Sequence, residues 1–280
     1  MLNFEKYQAK PPATVPFTEN TFEKQDNTTV CWLGAAGVFM NCRGTTIMMD
    51  PILTAWPGDE SRSEMGGLPL LAPPPIWAHQ VKKLDAVLYT HADDDHMGIA
   101  TAKALLPSGA VFHTTACASE ILLENGIPKE RICVHKRHDV FRIGEVTVKM
   151  TGAFHPHQIG DPAANGYRYF TGDDCTGFRL ETPDGVLWNP GDTMLMEEHL
   201  SNTDADIVMA DFSDNEHHFG KTVAIQLMNM LRDSELIMYH WGTVYLPDHG
   251  CFNADPEEIR PQIIKPRRLH VLAPGEMMAL

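Results

Sequence analysis

A short segment of the chain combines two histidines with three aspartates: Thr90-His91-Ala92-Asp93-Asp94-Asp95-His96-Met97-Gly98. Imidazole and carboxylate side chains are the usual protein ligands of Zn²⁺, Mn²⁺ and Fe²⁺. Carboxylates this close together repel one another unless a cation neutralises them. The segment therefore predicts a metal site, with a solvated acidic turn as the alternative interpretation.

The elements around this segment are those that position ligands in α/β folds. Residues 86–89 form an apolar run typical of a buried strand, and residues 98–106 have the pattern of a helix. Turns between a strand and the following helix commonly carry binding and catalytic groups. A catalytic metal site also needs ligands from distant parts of the chain, each held at the end of a rigid element.

Three further candidate ligands stand at the ends of predicted strands. They are His155 after residues 146–154, Asp192 after residues 185–188, and His240 after residues 236–239. Because four separate segments carry metal-binding residue types at strand ends, a metal site is favoured over a solvated turn.

The order of these residues resembles the metallo-β-lactamase superfamily, whose signature is His-x-His-x-Asp-His, a lone His, Gly-Asp-Thr and a final His. The chain is most similar to the L-ascorbate-6-phosphate lactonase-like group of bacterial hydrolases. The similar segments are Trp32-Leu33-Gly34-Ala35-Ala36-Gly37, the strand that ends at Asp50, and residues 126–131, 181–185 and 254–259. His240-Trp241-Gly242-Thr243 is also similar to the N-acylphosphatidylethanolamine phospholipase D-like branch. The similarity spans about residues 30–264.

This resemblance implies an α/β fold of the αββα four-layer type, with two facing mixed sheets and helices outside. It also implies two divalent metal ions (Mn, Zn or Fe) held by seven residues: His91, Asp93 and His155 in a first site, Asp95, His96 and His240 in a second, and Asp192 bridging the two. A metal-bound hydroxide would be the nucleophile. Asp95 would orient that hydroxide, and His240 would lie close to the leaving group, so both are predicted catalytic residues.

Asp93 is the main departure from the family pattern, which usually has histidine at this position. Three carboxylates, two divalent cations and one hydroxide are neutral together, whereas histidine at position 93 would leave a net charge of +1. A less positive centre should acidify its bound water less. It should also favour oxygen-preferring ions such as Mn²⁺ or Fe²⁺ over Zn²⁺. Whether Asp93 binds directly or through a water is open at this stage.

Three other histidines are candidates for contact with substrate. His217 and His218 follow the predicted strand at residues 206–210, on the side where the ligands gather, and His157 lies two residues after His155. A solvated loop is the alternative for His217 and His218. His113 and His135 lie near predicted strands and are interpreted as structural.

Composition favours one enzyme domain over all 280 residues, with an N-terminal arm at residues 1–27. The irregular stretch at residues 51–78 is a candidate lid insertion, with a plain surface insertion as the alternative. A hydrophobic content of 43% supports a sizeable core. The net charge of −15 argues against nucleic-acid partners, which need clustered basic residues. Further strands are predicted at residues 29–33, 38–41, 45–50, 110–113, 132–134, 140–143 and 206–210, and further helices at residues 115–123 and 222–232.

Targeting and cysteine patterns predict a cytoplasmic protein. The first residues lack the charged-then-apolar layout of a signal peptide. No apolar run approaches the roughly 20 residues of a membrane-spanning helix, so no membrane partner is expected. The six cysteines form no Cys-x-x-Cys pair and suit a reducing compartment. Assembly into a homo-oligomer stays open.

The predicted function is hydrolysis of a small molecule, most simply a lactone or carboxylic ester, with or without a phosphate group. Phosphodiester hydrolysis is the alternative reaction, because the same nucleophile attacks phosphorus. A second class of hypothesis is a non-catalytic protein that binds metal or ligand and has lost one metal through Asp93.

Overall fold

Two mixed sheets of seven strands each face one another at the centre of the fold. The computed structural model describes residues 7–156, 171–249 and 252–280. In the first sheet the spatial order is β16 (Met278–Ala279), β1 (Thr28–Gly34), β2 (Gly37–Cys42), β3 (Thr45–Met49), β6 (Ala86–Leu88), β7 (Val111–Thr114) and β8 (Ile132–Val134). The pairs from β16 to β3 are antiparallel, and those from β3 to β8 are parallel.

The second sheet repeats this pattern of pairing. Its order is β9 (Val140–Ile143), β10 (Val146–Gly152), β11 (Thr176–Thr182), β12 (Gly185–Asn189), β13 (Ile207–Ala210), β14 (Glu235–Met238) and β15 (Leu269–His270). Strands β9 to β12 pair antiparallel, and strands β12 to β15 pair parallel. Because β10 and β12 both run antiparallel to β11, they point in the same direction.

Strand periodicity divides the apolar residues between two cores. Side chains alternate between the faces of a strand. In β1, Val30 and Trp32 join the core between the sheets, whereas Cys31 and Leu33 join the core under the outer helices. In β3, Met49 faces the other sheet and Met48 faces the helices. Both faces of these strands are buried, which accounts for their nearly continuous apolar sequence.

Helices cover the outer faces of both sheets. Helices α1 (Ile99–Leu105) and α2 (Ala116–Glu124) pack on the first sheet, and α3 (Gly220–Met230) packs on the second. A short helix, α4 (Pro256–Ile259), lies near the C-terminus. This arrangement confirms the predicted αββα four-layer fold. In the described part of the chain, no helix has the length and apolarity needed to cross a bilayer.

Most predicted elements agree with the structure within two residues. Helix α2 begins after Thr115, whose side chain accepts a hydrogen bond from the backbone of Ala118, as expected of an N-cap. Helix α3 is displaced by two residues from the predicted range 222–232, because Leu231 has already left helical geometry with ψ of 57°. Strand β10 ends at Gly152 rather than at residue 154.

The interpretation of residues 51–78 as irregular was wrong in part, because this segment contains a hairpin of β4 (Ala55–Trp56) and β5 (Asp59–Ser63). The segment packs against the loop that follows β14. Met65 forms an apolar cluster with Val244 and Phe252, and the backbone N–H of Leu71 donates to the carbonyl of Thr243 over 2.8 Å. Its role as a lid stays a prediction.

The described part of the predicted arm, from residue 7 to residue 27, lies along the domain. The backbone N–H of Val15 donates to the carbonyl of Pro274, and that of Phe17 donates to the carbonyl of Pro75. A single turn of 3-10 helix, Glu19–Phe22, lies near its end.

His113 and His135, which the sequence interpretation assigned to the structure of the fold, pair with each other. Nδ1 of His113 lies 2.9 Å from Nε2 of His135, and both rings stack on Phe141. Burial, reinforced by the neighbouring His135, lowers the pKa of His113 to about 4. A neutral, hydrogen-bonded pair of this kind serves the fold.

This pair predicts a loss of stability in acid. Between the ordinary pKa of 6.5 and the folded value of about 4, the unfolded chain binds a proton at His113 that the folded protein does not. The stability present above pH 6.5 is therefore lost as the pH falls toward 4. We expect urea unfolding of chelator-treated protein to show a steeper loss between these limits for the wild type than for His113→Phe. Parallel curves would contradict this assignment.

Candidate metal centre

The predicted ligands come together at one edge of the two sheets. His91 follows β6 in the first sheet, whereas His155, Asp192 and His240 follow β10, β12 and β14 in the second. Asp50, which was not among the predicted ligands, follows β3. Because these strands point toward the same edge, their carboxyl ends deliver the side chains to one place.

One group of ligands contains His91, His155 and Asp192, with one ligand atom of each lying within 4.8 Å of the others. The carboxylate of Asp93 lies between the two histidines. Its Oδ2 is 3.1 Å from Nε2 of His91 and 3.3 Å from Nε2 of His155. Asp93 therefore lies within reach of both histidines, and its direct binding of a cation stays a prediction.

A second group contains Asp95, His96, Asp192 and His240, again within 4.8 Å. Nε2 of His96 lies 3.1 Å from Oδ2 of Asp192, and Nε2 of His240 lies 3.2 Å from Oδ2 of Asp95. Asp192 belongs to both groups, which is the position expected of a bridging ligand. The exposed neighbour Asp94 belongs to neither of them.

The donor atoms of this site fit cation binding. Nε2 of His96 lies only 3.2 Å from Nε2 of His240, so that two nitrogen lone pairs would meet unless a proton or cation lay between them. Oδ1 of Asp192 is buried and accepts no hydrogen bond from the described residues. A buried carboxylate oxygen without a donor is costly unless a cation binds it.

The ionisation of the carboxylates also suits cation binding. Burial alone would raise the pKa of Asp192, but His218, His240 and His96 together hold that pKa well below its ordinary value. Burial lowers the pKa of His240, yet Asp192 and the hydrogen bond with Asp95 outweigh it and bring the pKa to about 9. A cation that enters this cluster would displace protons from the histidines.

Hydrogen bonds on the far side of the rings aim the Nε2 atoms into the site. Nδ1 of His96 lies 2.9 Å from Oδ2 of Asp50. Nδ1 of His91 lies 2.9 Å from the hydroxyl of Thr90, which itself donates to the same Oδ2 over 2.6 Å. Because a carboxylate only accepts, Nδ1 carries the hydrogen and Nε2 keeps its lone pair for a cation.

The turn between β1 and β2 holds the last ligand in place. His240 has a left-handed backbone with φ of 63°, which is uncommon for a residue with a side chain. Its N–H donates to the carbonyl of Ala35, which also accepts from the indole of Trp32. The hydroxyl of Thr243 accepts from the N–H of Ala35, and Trp241 stacks on Trp32. Two distant sequence segments thus form one support.

A family model described as the beta-lactamase superfamily domain matches residues 45–241. The chain belongs to the metallo-β-lactamase superfamily. Within it, the chain is 26% identical to the probable L-ascorbate-6-phosphate lactonase UlaG of Shigella boydii, over 82% of this chain and 73% of that protein.

Solved structures with the same fold are more distant in sequence. The isothiocyanate hydrolase from Delia radicum gut bacteria superposes with a TM-score of 0.68 at 19% identity, covering 90% of this chain and 98% of that one. The metallo hydrolase Igni18 from Ignicoccus hospitalis gives 0.65 at 17% identity, over 91% and 98%. At these identities the likeness shows the metallo-β-lactamase fold and does not fix the reaction.

The candidate substrate residues differ in position around this metallo-β-lactamase site. The carbonyl of His217 accepts from Nδ1 of His155 over 3.0 Å, and its side chain is 30% exposed at the rim. His218 is buried instead, with Nε2 3.2 Å from Oδ2 of Asp192. His157 lies outside the described residues.

Sequence reasoning missed the partners that orient the ligands: Asp50, Thr90, Asp211 and Ser213. Asp211 directly follows β13, so the signal was the same one that marks Asp50, a carboxylate immediately after an apolar strand.

Removing the hydroxyl of Thr90 should weaken metal binding. Thr90→Val breaks the link between His91 and Asp50, and loss of such a supporting contact typically costs about 10–100-fold in metal affinity. Thr114→Val is the matched control, because Thr114 is equally buried and its hydroxyl has no partner among the described residues. Chelator competition measures both variants. Equal affinities for Thr90→Val and Thr114→Val would contradict the supporting role.

Proposed function

We propose that the protein is a binuclear metal-dependent hydrolase that acts on a small lactone or a related carboxylic ester, with phosphorylated substrates included. The observation that carries this proposal is the pair of ligand groups joined by Asp192. The lactonase name of the 26% identical relative supports the substrate class. A cytoplasmic location and small-molecule specificity remain parts of the proposal.

Divalent cations, when bound, acidify water and polarise the oxygen of the bond to be broken. The protein supplies the geometry for that chemistry. His91, Asp93 and His155 would hold one cation, Asp95, His96 and His240 would hold the other, and Asp192 would join them. The acceptors on Nδ1 fix each ring before substrate arrives, so little reorganisation is needed during the reaction.

Asp95 is the carboxylate best placed to handle a proton. Its side chain is 18% exposed, whereas that of Asp192 is 2% exposed, so Asp95 borders the open side of the site. Its Oδ2 can accept a hydrogen bond from water on that side. His240 Nε2 lies 3.2 Å from the same oxygen and would stand next to the leaving group. His217, at the rim, is proposed to contact substrate.

Substrate turnover tests this proposal. Protein loaded with Mn²⁺, Fe²⁺ or Zn²⁺ would be assayed with a panel of lactones, phosphorylated lactones and bis-p-nitrophenyl phosphate, with Asp95→Asn as the inactive control. Lactone turnover that is lost in Asp95→Asn is the expected result. Turnover of the phosphodiester alone would replace the substrate class, and stoichiometric metal without any turnover would favour a metal- or ligand-binding protein.

Exchange of Asp93 for histidine should change the metal preference. Asp93→His replaces an oxygen donor between His91 and His155 by an imidazole and adds one positive charge to the centre. We expect the ratio of Zn²⁺ to Mn²⁺ affinity to rise by about tenfold, or about 1.4 kcal/mol. The pH profile of kcat should also move to lower pH, because a more positive centre acidifies water more strongly. Competition between the two ions measures the ratio. An unchanged metal preference and an unchanged pH profile in Asp93→His would contradict the proposed effect of the charge at position 93.

A further inference from the structure

A second buried aspartate orients histidines in the same way as Asp50. Oδ2 of Asp211 lies 2.6 Å from Nδ1 of His218. Oδ1 of Asp211 accepts from the hydroxyl of Ser213 over 2.6 Å, and that hydroxyl lies 3.4 Å from Nδ1 of His240. Asp211 thus contacts one histidine directly and reaches another through a hydroxyl.

The two units have similar connections. Asp50 contacts His96 directly, as Asp211 contacts His218. Thr90 links Asp50 to His91, as Ser213 links Asp211 to His240. Three of these four histidines, His91, His96 and His240, already belong to the groups proposed to hold metal. The fourth, His218, has the same support but lies outside the two groups that share Asp192; with Asp211 and His240 it forms a third candidate group.

The second ring nitrogen of His218, Nε2, faces the candidate metal site. With Nδ1 fixed by a carboxylate, the hydrogen lies on Nδ1, and Nε2 keeps its lone pair when a cation is present. Nε2 lies 3.2 Å from Oδ2 of Asp192, and Nε2 of His96 lies 3.1 Å from the same oxygen. His218 therefore lies about as close to the carboxylate of Asp192 as His96 does, and His96 is already a proposed ligand.

We infer that His218 supplies a further imidazole to the metal centre and binds a cation held by Asp192. This inference rests on the proposed function, since it needs the cations that the hydrolase would use. Substrate contact fits His218 less well, because its side chain is only 5% exposed and faces Asp192, which is itself buried. The adjacent His217 at the rim has the exposure that a substrate contact needs.

Metal binding by full-length variants tests the inference. Wild type, His218→Ala, His218→Gln and His217→Ala would be equilibrated with Mn²⁺ at buffered free concentrations, and the bound metal per chain would be counted by elemental mass spectrometry. His217→Ala is the matched control, because the carbonyl that accepts from His155 is backbone and survives the change. Urea unfolding of the metal-free proteins checks that each variant folds.

Compared with the wild type, both His218 variants should require at least about tenfold higher free Mn²⁺ to bind one ion per chain. This matches the loss of affinity that follows when a metal site is disturbed. The Co²⁺-loaded His218→Gln protein should also show an altered ligand-field spectrum, whereas His217→Ala should match the wild type in both measurements. If the wild type binds two ions and the His218 variants bind Mn²⁺ with unchanged affinity, only the assignment of His218 is overturned. An equal loss in His217→Ala would also overturn it. A wild type that binds no metal would instead overturn the proposed function.

Discussion

Asp192→Asn should remove most metal binding and, with it, hydrolysis. Asp192 is the one residue common to both ligand groups, and its carboxylate faces His96, His218 and His240. Asparagine keeps the shape but removes one of the three negative side-chain charges that would offset two divalent cations. We expect affinity for both ions to fall by at least about 100-fold. This is the upper end of the loss found when a residue that only hydrogen-bonds to a metal ligand is replaced.

Asp85→Asn provides the matched control for this substitution. Asp85 accepts hydrogen bonds from the N–H and the hydroxyl of Thr46, and it lies beside the amino end of β6, whereas the metal motif follows the carboxyl end. Its replacement should cost stability without changing the metal affinity. Isothermal titration of metal-free protein would measure both variants. Retention of two tightly bound ions by Asp192→Asn would contradict the bridging role.

Gly191→Ala should distort the centre through the backbone. Gly191 has φ of +67°, a left-handed conformation that costs about 1–2 kcal/mol for a residue with a Cβ. A Cβ here would also lie 2.7 Å from the carbonyl of Thr176 and 3.2 Å from the side chain of Thr90. The backbone must move, and Asp192 moves with it. We expect a loss of more than about 2 kcal/mol in unfolding free energy together with weakened metal binding.

Gly126→Ala separates the two effects of this substitution. Gly126 has a similar φ of +86°, but a Cβ there would meet nothing within 4 Å. It should cost only the strain of about 1–2 kcal/mol and leave metal binding intact. Urea unfolding and metal titration of both variants would be compared. Equal behaviour in the two assays would mean that crowding around Gly191 does not position Asp192.

Local sequence was enough to nominate the candidate ligands, because they lie in loops that follow apolar runs; their binding of metal stays a prediction. His91, His155, Asp192 and His240 all lie where a strand ends, and a strand of alternating or continuous apolar residues is readable from sequence. Periodicity could not say that the strands belong to two facing sheets. That arrangement came from the family resemblance, and the residues of both sheets in one core confirm it.

The contacts that orient the ligands could not be predicted, because they depend on tertiary placement. Asp50 and His96 are separated by 46 residues, and no local sequence pattern predicts their contact. Asp211 supports His240 through Ser213 only because β13 and β14 are neighbours. The support of His240 by Ala35 likewise joins opposite parts of the chain.

The metal content of the purified protein tests the binuclear centre most directly. The full-length chain would be purified without added metal, counted by elemental mass spectrometry, and counted again after chelation and reloading with Mn²⁺, Fe²⁺ or Zn²⁺. Two ligand groups sharing Asp192 predict two divalent ions per chain. A stoichiometry that stays at one ion or none after reloading would contradict a binuclear centre.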